Sequence, residues 1–208
     1  MKIAYLIFPI LSSVTFVCAQ QPIGATTDDG RKILVYPDGT WRLQKQASPE
    51  PHSETSEKPA NATHFVKATN GSFGVWIDTQ KWTQQSASDG DAKLQFYLKS
   101  GNGYAMLISE TLEVPTGVLA NVAIENAKAA MPDVTVAFKE ERHVSGKEVL
   151  CMKMAGTVRG IPFTYYGYYY GGPEGTVQAI TYTGTNLFDK TKPDLEEFLN
   201  GLQIGEAH

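Results

Sequence analysis

The sequence predicts an α+β domain: an antiparallel sheet of about five to seven strands with two helices, preceded by a small β-hairpin. Three observations carry this expectation. Apolar and polar residues alternate in AKLQFYLKS, the period-two pattern of a half-buried strand. Apolar residues recur at helical spacing in TGVLANVAIENAKAAMP and again in LEEFLNGL. Short glycine-bearing connections separate the other strand-like runs, which makes consecutive strands antiparallel neighbours.

The chain opens on MKIAYLIFPILSSVTFVCAQQ. Lys2 is the only charge before Asp28, an apolar run follows, and Val17-Cys18-Ala19 supplies a small residue at the expected cut. This is the build of a cleavable signal peptide over residues 1–19. The apolar run is shorter than the ~20 residues that span a bilayer, which argues against an anchor. Bulky Val17 before Cys18 argues against a lipidated cysteine. The expected address is therefore export, to the periplasm or beyond, with no integral membrane segment after cleavage. Formal net charge is −4 for the whole chain, and loss of Lys2 leaves 17 basic against 22 acidic residues. That balance gives no electrostatic reason to hold nucleic acid. Cys151 is the one thiol left, so the core must hold by burial rather than by an internal disulfide.

Residues 20–44 read as a small hairpin module, with Asp38-Gly39 turning between KILVY and TWRL. Trp41 is expected to pack across from Leu34 or Tyr36. Residues 45–63 hold three prolines, several Ser and Thr, and no large apolar side chain. They read as a flexible linker. Residues 64–208 form the α+β domain.

Within that domain Phe73, Val75 and Ile77 share one strand face, and Leu94, Phe96 and Leu98 share another. Gly101-Asn102-Gly103 turns into the return strand YAMLISE. A helix follows, with Thr116 as N-cap, Pro132 as stop, and Leu119, Val122, Ala123, Asn126, Ala127 and Ala130 as its inward stripe. Four strands come next: VTVAFKEERHV, KEVLCMKMAGTV, FTYYGYYY and TVQAITYTG. A final helix, capped by Thr191, buries Leu195, Phe198, Leu199 and Leu202.

The stretch from about residue 71 to 204 resembles the PsbP-like family. The resemblance rests on GSFGVWIDTQKW, the central helix before Pro132, the hairpin VSGKEVL, the long and Tyr-rich strands, and LEEFLNGL. It implies an α/β/α arrangement around an antiparallel sheet. The family spans extrinsic photosystem proteins, a Ran-binding nuclear import factor and many bacterial exported proteins, of which the last group suits a signal peptide. TDDGRKILVYPDGTW is similar to a short hairpin motif near the N-terminus of some bacterial exported proteins.

The sequence shows no catalytic motif, metal-ligand spacing, P-loop or dinucleotide fingerprint, and no cofactor is expected. His143 reads as a solvated hairpin residue in the charged strand end Lys139-Glu140-Glu141-Arg142. Glu140 and Glu141 point to opposite strand faces, which rules out shared acid–base work. Cys151 reads as a buried, inert thiol, although a hairpin could bring it to His143. The unusual run is YYGYYYGG. It sets Tyr166, Tyr168 and Tyr170 on one face and Tyr165 and Tyr169 on the other. Exposed, the first set would anchor a protein or glycan; covered, it is strand packing. The expected function is an exported, non-enzymatic binding or accessory module of the bacterial envelope. It would contact another envelope protein through Tyr166, Tyr168 and Tyr170. The alternatives are a small-ligand carrier with a pocket between sheet and helices, and a hydrolase built on Cys151 or His143.

Overall fold

A computed structural model describes residues 23–26, 32–43, 55–70, 72–85 and 93–205. The signal-peptide reading of residues 1–19 and residues 45–54 of the expected linker lie outside these. The chain divides into two compact units, Met1–Glu50 and Pro51–His208.

The first unit carries β1 (Ile23–Thr26), β2 (Lys32–Val35) and β3 (Trp41–Leu43) in one antiparallel sheet. Its turn forms as the Asp-Gly signal predicts: Gly39 takes φ +81°, and Asp38 Oδ1 accepts from the Thr40 amide. The register sets Trp41 opposite Val35, not Leu34 or Tyr36.

The second unit runs β4 (Thr55–Ser56), β5 (His64–Lys67), β6 (Phe73–Ile77), β7 (Trp82–Gln85), β8 (Lys93–Leu98) and β9 (Tyr104–Glu110). Helix α1 (Thr116–Ala130) precedes β10 (Thr135–Val144), β11 (Lys147–Val158), β12 (Ile161–Gly172) and β13 (Gly175–Gly184). A 3-10 turn (Thr185–Leu187) leads into α2 (Phe188–Asn200), and β14 (Leu202–Ile204) ends the described chain. The main sheet has the order β4-β10-β11-β12-β13-β9-β8-β7. Two-residue β4 pairs parallel to β10, and the other neighbours are antiparallel. A second sheet, β14-β6-β5, pairs Leu202 with Val75 and Phe65 with Trp76.

Two tight turns set the meander from β10 to β12. Ser145-Gly146 and Arg159-Gly160 both adopt positive φ at two consecutive residues. Such a turn matches the right-handed twist of the strands it joins.

The sheet is covered on both sides. On one face Cys151, Tyr166, Tyr168, Leu94, Phe96 and Leu107 pack with α2 residues Leu195, Phe198 and Leu199 and with Phe73 and Val75 of β6. On the other, Leu119 and Ala123 of α1 pack on Met152, Met154 and Tyr169. The α/β/α arrangement is thus realised, with the alternating residues of β6 and β8 facing inward as expected.

Four details depart from the sequence reading. Thr116 is the first helical residue after Pro115, and its hydroxyl accepts from the Gly171 amide at 3.1 Å instead of capping α1. The buried face of α1 is Leu119, Ala120 and Ala123, with Met131 beyond it, while Val122 is 48% exposed. Alanines and valines encircle this helix, so its composition marks no single stripe and packing decides the rotation. Helix α2 starts at Phe188, leaving Thr191 buried and Pro193 inside the helix. The Phe188 ring lies 5.9 Å from that of Tyr166, and its burial outweighs the proline's preference for the first turn. Leu202 belongs to β14, not to the helix. The expected linker also ends earlier than residue 63. Ser56 pairs with Val144, Ala62 is buried, and Asn61 donates to Asp78 and Glu197 at 3.0 and 2.8 Å.

Phe198 is the centre of the α2 contact, with ring centroids 4.8 Å from Trp82 and 5.0 Å from Phe96. Phe198→Ala is expected to lower the unfolding free energy by about 3–5 kcal/mol. Urea denaturation of the two proteins measures this; a loss under about 1 kcal/mol would mean that α2 does not seal the sheet.

Candidate functional site

The three tyrosines expected to meet a partner lie in the core. Tyr166 and Tyr168 are 0% exposed and Tyr170 is 6% exposed. Their face of β12 is the one that α2 covers, because a strand with bulky residues on both faces needs cover twice. The partner-contact role of Tyr166, Tyr168 and Tyr170 is therefore replaced by a structural one.

The phenols of Tyr166 and Tyr168 belong to a buried polar cluster that the sequence reading missed, while that of Tyr170 donates to Glu174. Arg142 was expected at a solvated strand end, yet it is only 9% exposed. Its Nε donates to Glu140 Oε1 at 2.7 Å, and its Nη1 donates to Tyr168 Oη at 3.0 Å. Tyr168 passes its own proton to Asn200 Oδ1 at 2.9 Å. Tyr166 donates to Glu196 Oε1 at 2.7 Å, and Lys192 Nζ sits 3.1 Å from the same oxygen. Arg142 also lies over the Tyr166 and Tyr168 rings, 5.9 and 5.8 Å from their centroids. The one signal of this cluster was position. Arg142 shares a strand face with Glu140 and Val144, opposite the face of Glu141 and His143.

Burial pushes the Cys151 thiol up to about 12, and the charge of Arg142 offsets only part of that. Cys151 is 0% exposed. The register pairs Cys151 with Glu140 but His143 with Glu148, so alternation puts the two on opposite faces. The Cys–His pair that a hairpin could have formed does not form. Burial raises the Glu196 carboxyl, but the hydrogen bond from Tyr166 and the charges of Lys192 and Arg142 outweigh it and hold the group below its ordinary range. Among the described residues no three His, Cys, Asp or Glu gather as a metal site would require.

A second tyrosine row is open. Direct cross-strand pairing links Tyr165 to Tyr182, Tyr182 to Tyr104, and Tyr104 to Tyr97, across β12, β13, β9 and β8. Thr83 of β7 continues the register. Tyr97 and Tyr104 are 40% and 43% exposed, while Tyr165 and Tyr182 are half-buried. The rings overlap like shingles: Tyr104 and Tyr182 stack at 5.2 Å with planes 17° apart, and Tyr165 and Tyr182 at 5.3 Å and 22°. The next register on this face is Ile180, Met106, Gln95 and Gln85, again uncharged. Charge flanks the two registers, at Lys93 and Glu110 on one side and on the other at Lys99, whose amide bonds the Lys81 carbonyl one register beyond Thr83 and Tyr97. This is the face that α1 shares; α1 packs on β11 and β12, with Ile180 of β13 against the edge of its cluster, and among the described residues no other helix lies over β9, β8 and β7. Along the strands these tyrosines are far apart in sequence, so no local run announced them.

The same architecture occurs in solved structures. Cyanobacterial PsbP (CyanoP) from Synechocystis matches at a TM-score of 0.51 and 8% identity, covering 70% of this chain and 94% of that one. The chain has a PsbP-like fold. Weaker likenesses are LpqN, involved in cell envelope biogenesis of Mycobacterium tuberculosis (TM-score 0.43, 8% identity, 68% and 90% covered), and a protein of unknown function from Pseudomonas aeruginosa (0.42, 7%, 86% and 93%). No family model and no curated sequence matches the chain. At these identities the PsbP-like fold describes architecture and assigns no activity. No helix among the described residues is long and apolar enough to cross a membrane.

Two outcomes test this account of the PsbP-like core. Glu196 contributes stability above about pH 4.3, the ordinary glutamate value, and loses it as pH falls through its lower folded value. The melting temperature of the wild type should therefore fall more steeply with acid than that of Glu196→Gln; parallel profiles would contradict the cluster. Cys151 should resist a thiol reagent at about pH 8 until denaturant is added. Rapid modification of the native protein would show that the thiol is open.

Proposed function

We propose that the chain is an exported, non-enzymatic binding or accessory module of the bacterial envelope. In this reading it works through the open sheet face that carries Tyr97, Tyr104, Tyr182 and Tyr165. The observation that carries it is the row itself: four tyrosines in one register, two of them more than a third exposed, beside a second register that is uncharged. Tyrosine brings a large, rigid contact area with a polar tip and few rotatable bonds, which suits it to recognition. Stacking removes still more freedom from the rings, so less is lost on binding.

The N-terminal pattern MKIAYLIFPILSSVTFVCA supports the export half of the reading. Burial of Cys151 and of the Arg142 cluster speaks for a structural rather than a chemical use of those groups. A small-ligand carrier needs room between sheet and helix, and under α2 that volume is filled by Tyr166, Tyr168, Leu195 and Phe198.

A photo-crosslinking amino acid at position 97 or 104, in the protein expressed in its own cell, tests the face. Adducts are expected there and not at exposed Lys190 on α2. Equal yields at all three positions would remove the open face as the contact surface.

A further inference from the structure

Resting on the reading of this open face as a contact surface, we infer that its occupant is a linear, neutral polysaccharide lying across the strands along the tyrosine row. Three features of the face select this chemistry.

The first is charge. Lys, Arg, Asp and Glu make up 19% of the chain, yet the tyrosine register and the register beside it through Ile180, Met106, Gln95 and Gln85 contain none. An anionic glycan or a charged protein surface would have to shed its hydration there without compensation. A neutral sugar chain carries no such cost.

The second is the pairing of ring and amide. A pyranose offers an apolar C–H face and a rim of hydroxyls. Among the described residues Tyr104 stacks on Tyr182 alone and Tyr97 on no ring, so these two exposed rings offer the apolar surface for the C–H face, while Tyr182, with a stacked ring on either side, offers its edge. Tyrosine hydroxyls and the side-chain amides of Gln95 and Gln85 lie on the same face and supply both donors and acceptors.

The third is shape. Neighbouring strands lie about 4.8 Å apart, so four tyrosines in register make a line about 15 Å long. A stable protein–protein interface uses roughly 20–30 residues a side. The two uncharged registers supply fewer than half that number. A narrow line of uniform aromatic groups fits a chain of repeating units better than a broad convex partner.

Native gel electrophoresis of the purified full chain through soluble neutral polysaccharides tests the inference, with a panel of hydroxyethyl cellulose, glucomannan and dextran. Carboxymethyl cellulose serves as the charged control. Retardation is expected in at least one neutral gel, and less in the charged one. Tyr97→Ala and Tyr104→Ala each remove an exposed ring and should weaken that retardation about tenfold in apparent affinity; Tyr97→Ala should leave the melting temperature unchanged, whereas Tyr104→Ala also loses the stack on Tyr182. Mobility in every neutral gel equal to that in plain gel overturns the inference, as does retardation that both variants keep. The crosslinking experiment separates the two failures. Protein adducts confined to positions 97 and 104, without retardation, sink the polysaccharide and leave the contact face standing. Neither adducts nor retardation sinks both.

Discussion

Strand β12 is buried on both of its faces: Tyr166, Tyr168 and Tyr170 fill one and Tyr169 the other. A strand of that kind has no side to give to water, so a layer must lie above it and another below. Helix α2 supplies one layer and α1 the other. A helix with its side chains is about 10–12 Å across, and strands repeat about every 4.8 Å, so one helix shades about two strands. On the α2 side the small sheet β14-β6-β5 extends the cover. On the α1 side no second element joins it among the described residues, and the register from β13 to β7 stays partly open, with Tyr104 and Tyr97 exposed. The open tyrosine row is a geometric remainder of the need to cover β12 twice.

The covered face carries an unusual load for a core. Arg142 brings a charge that cannot be discharged at ordinary pH, and Glu140, Tyr168 and Glu196 converge on it. Pairs of this kind gain little over well-packed apolar residues, because the Coulomb gain largely repeats what desolvation took away. Their stronger effect is on alternatives. A slip of β10 against β11 by one residue would carry Arg142 to the α1 side and leave Glu196 and Tyr168 without it. The cluster thus holds the register of the outer strands against the helix that closes the sheet.

Much of the fold was legible because it is written in local periodicity. Leu94, Phe96 and Leu98 alternate with Gln95 and Tyr97, and the strand is where that pattern lies. The Ser145-Gly146 and Arg159-Gly160 turns announced themselves by composition. What failed was information that does not run along the chain. The stripe expected on α1 holds at Leu119 and Ala123 and fails at Val122, because the sheet takes Ala120 in place of that valine. Arg142 looked solvated because its neighbours Glu141 and Lys139 are exposed. YYGYYYGG drew the eye to tyrosines adjacent in sequence, whereas the exposed row takes one tyrosine from each of four strands. Cross-strand register is a tertiary fact, and a single sequence carries it only after the order of strands is known.

Strand β14 is three residues long and sits at the very end of the described chain, yet it pairs with β6, near the beginning of the second unit. The carbonyl oxygen of Gly201, just before it, accepts from the Trp76 amide at 2.8 Å, and the Trp76 carbonyl lies so close to the Gly201 Cα that a Cβ there would stand 2.1 Å from it. A chain that emerges N-terminus first presents β6 with an unfilled edge until β14 arrives. Completion of the core therefore waits for β14: a chain stopped before Leu202 carries nearly all the other core side chains and lacks the strand that fills this edge.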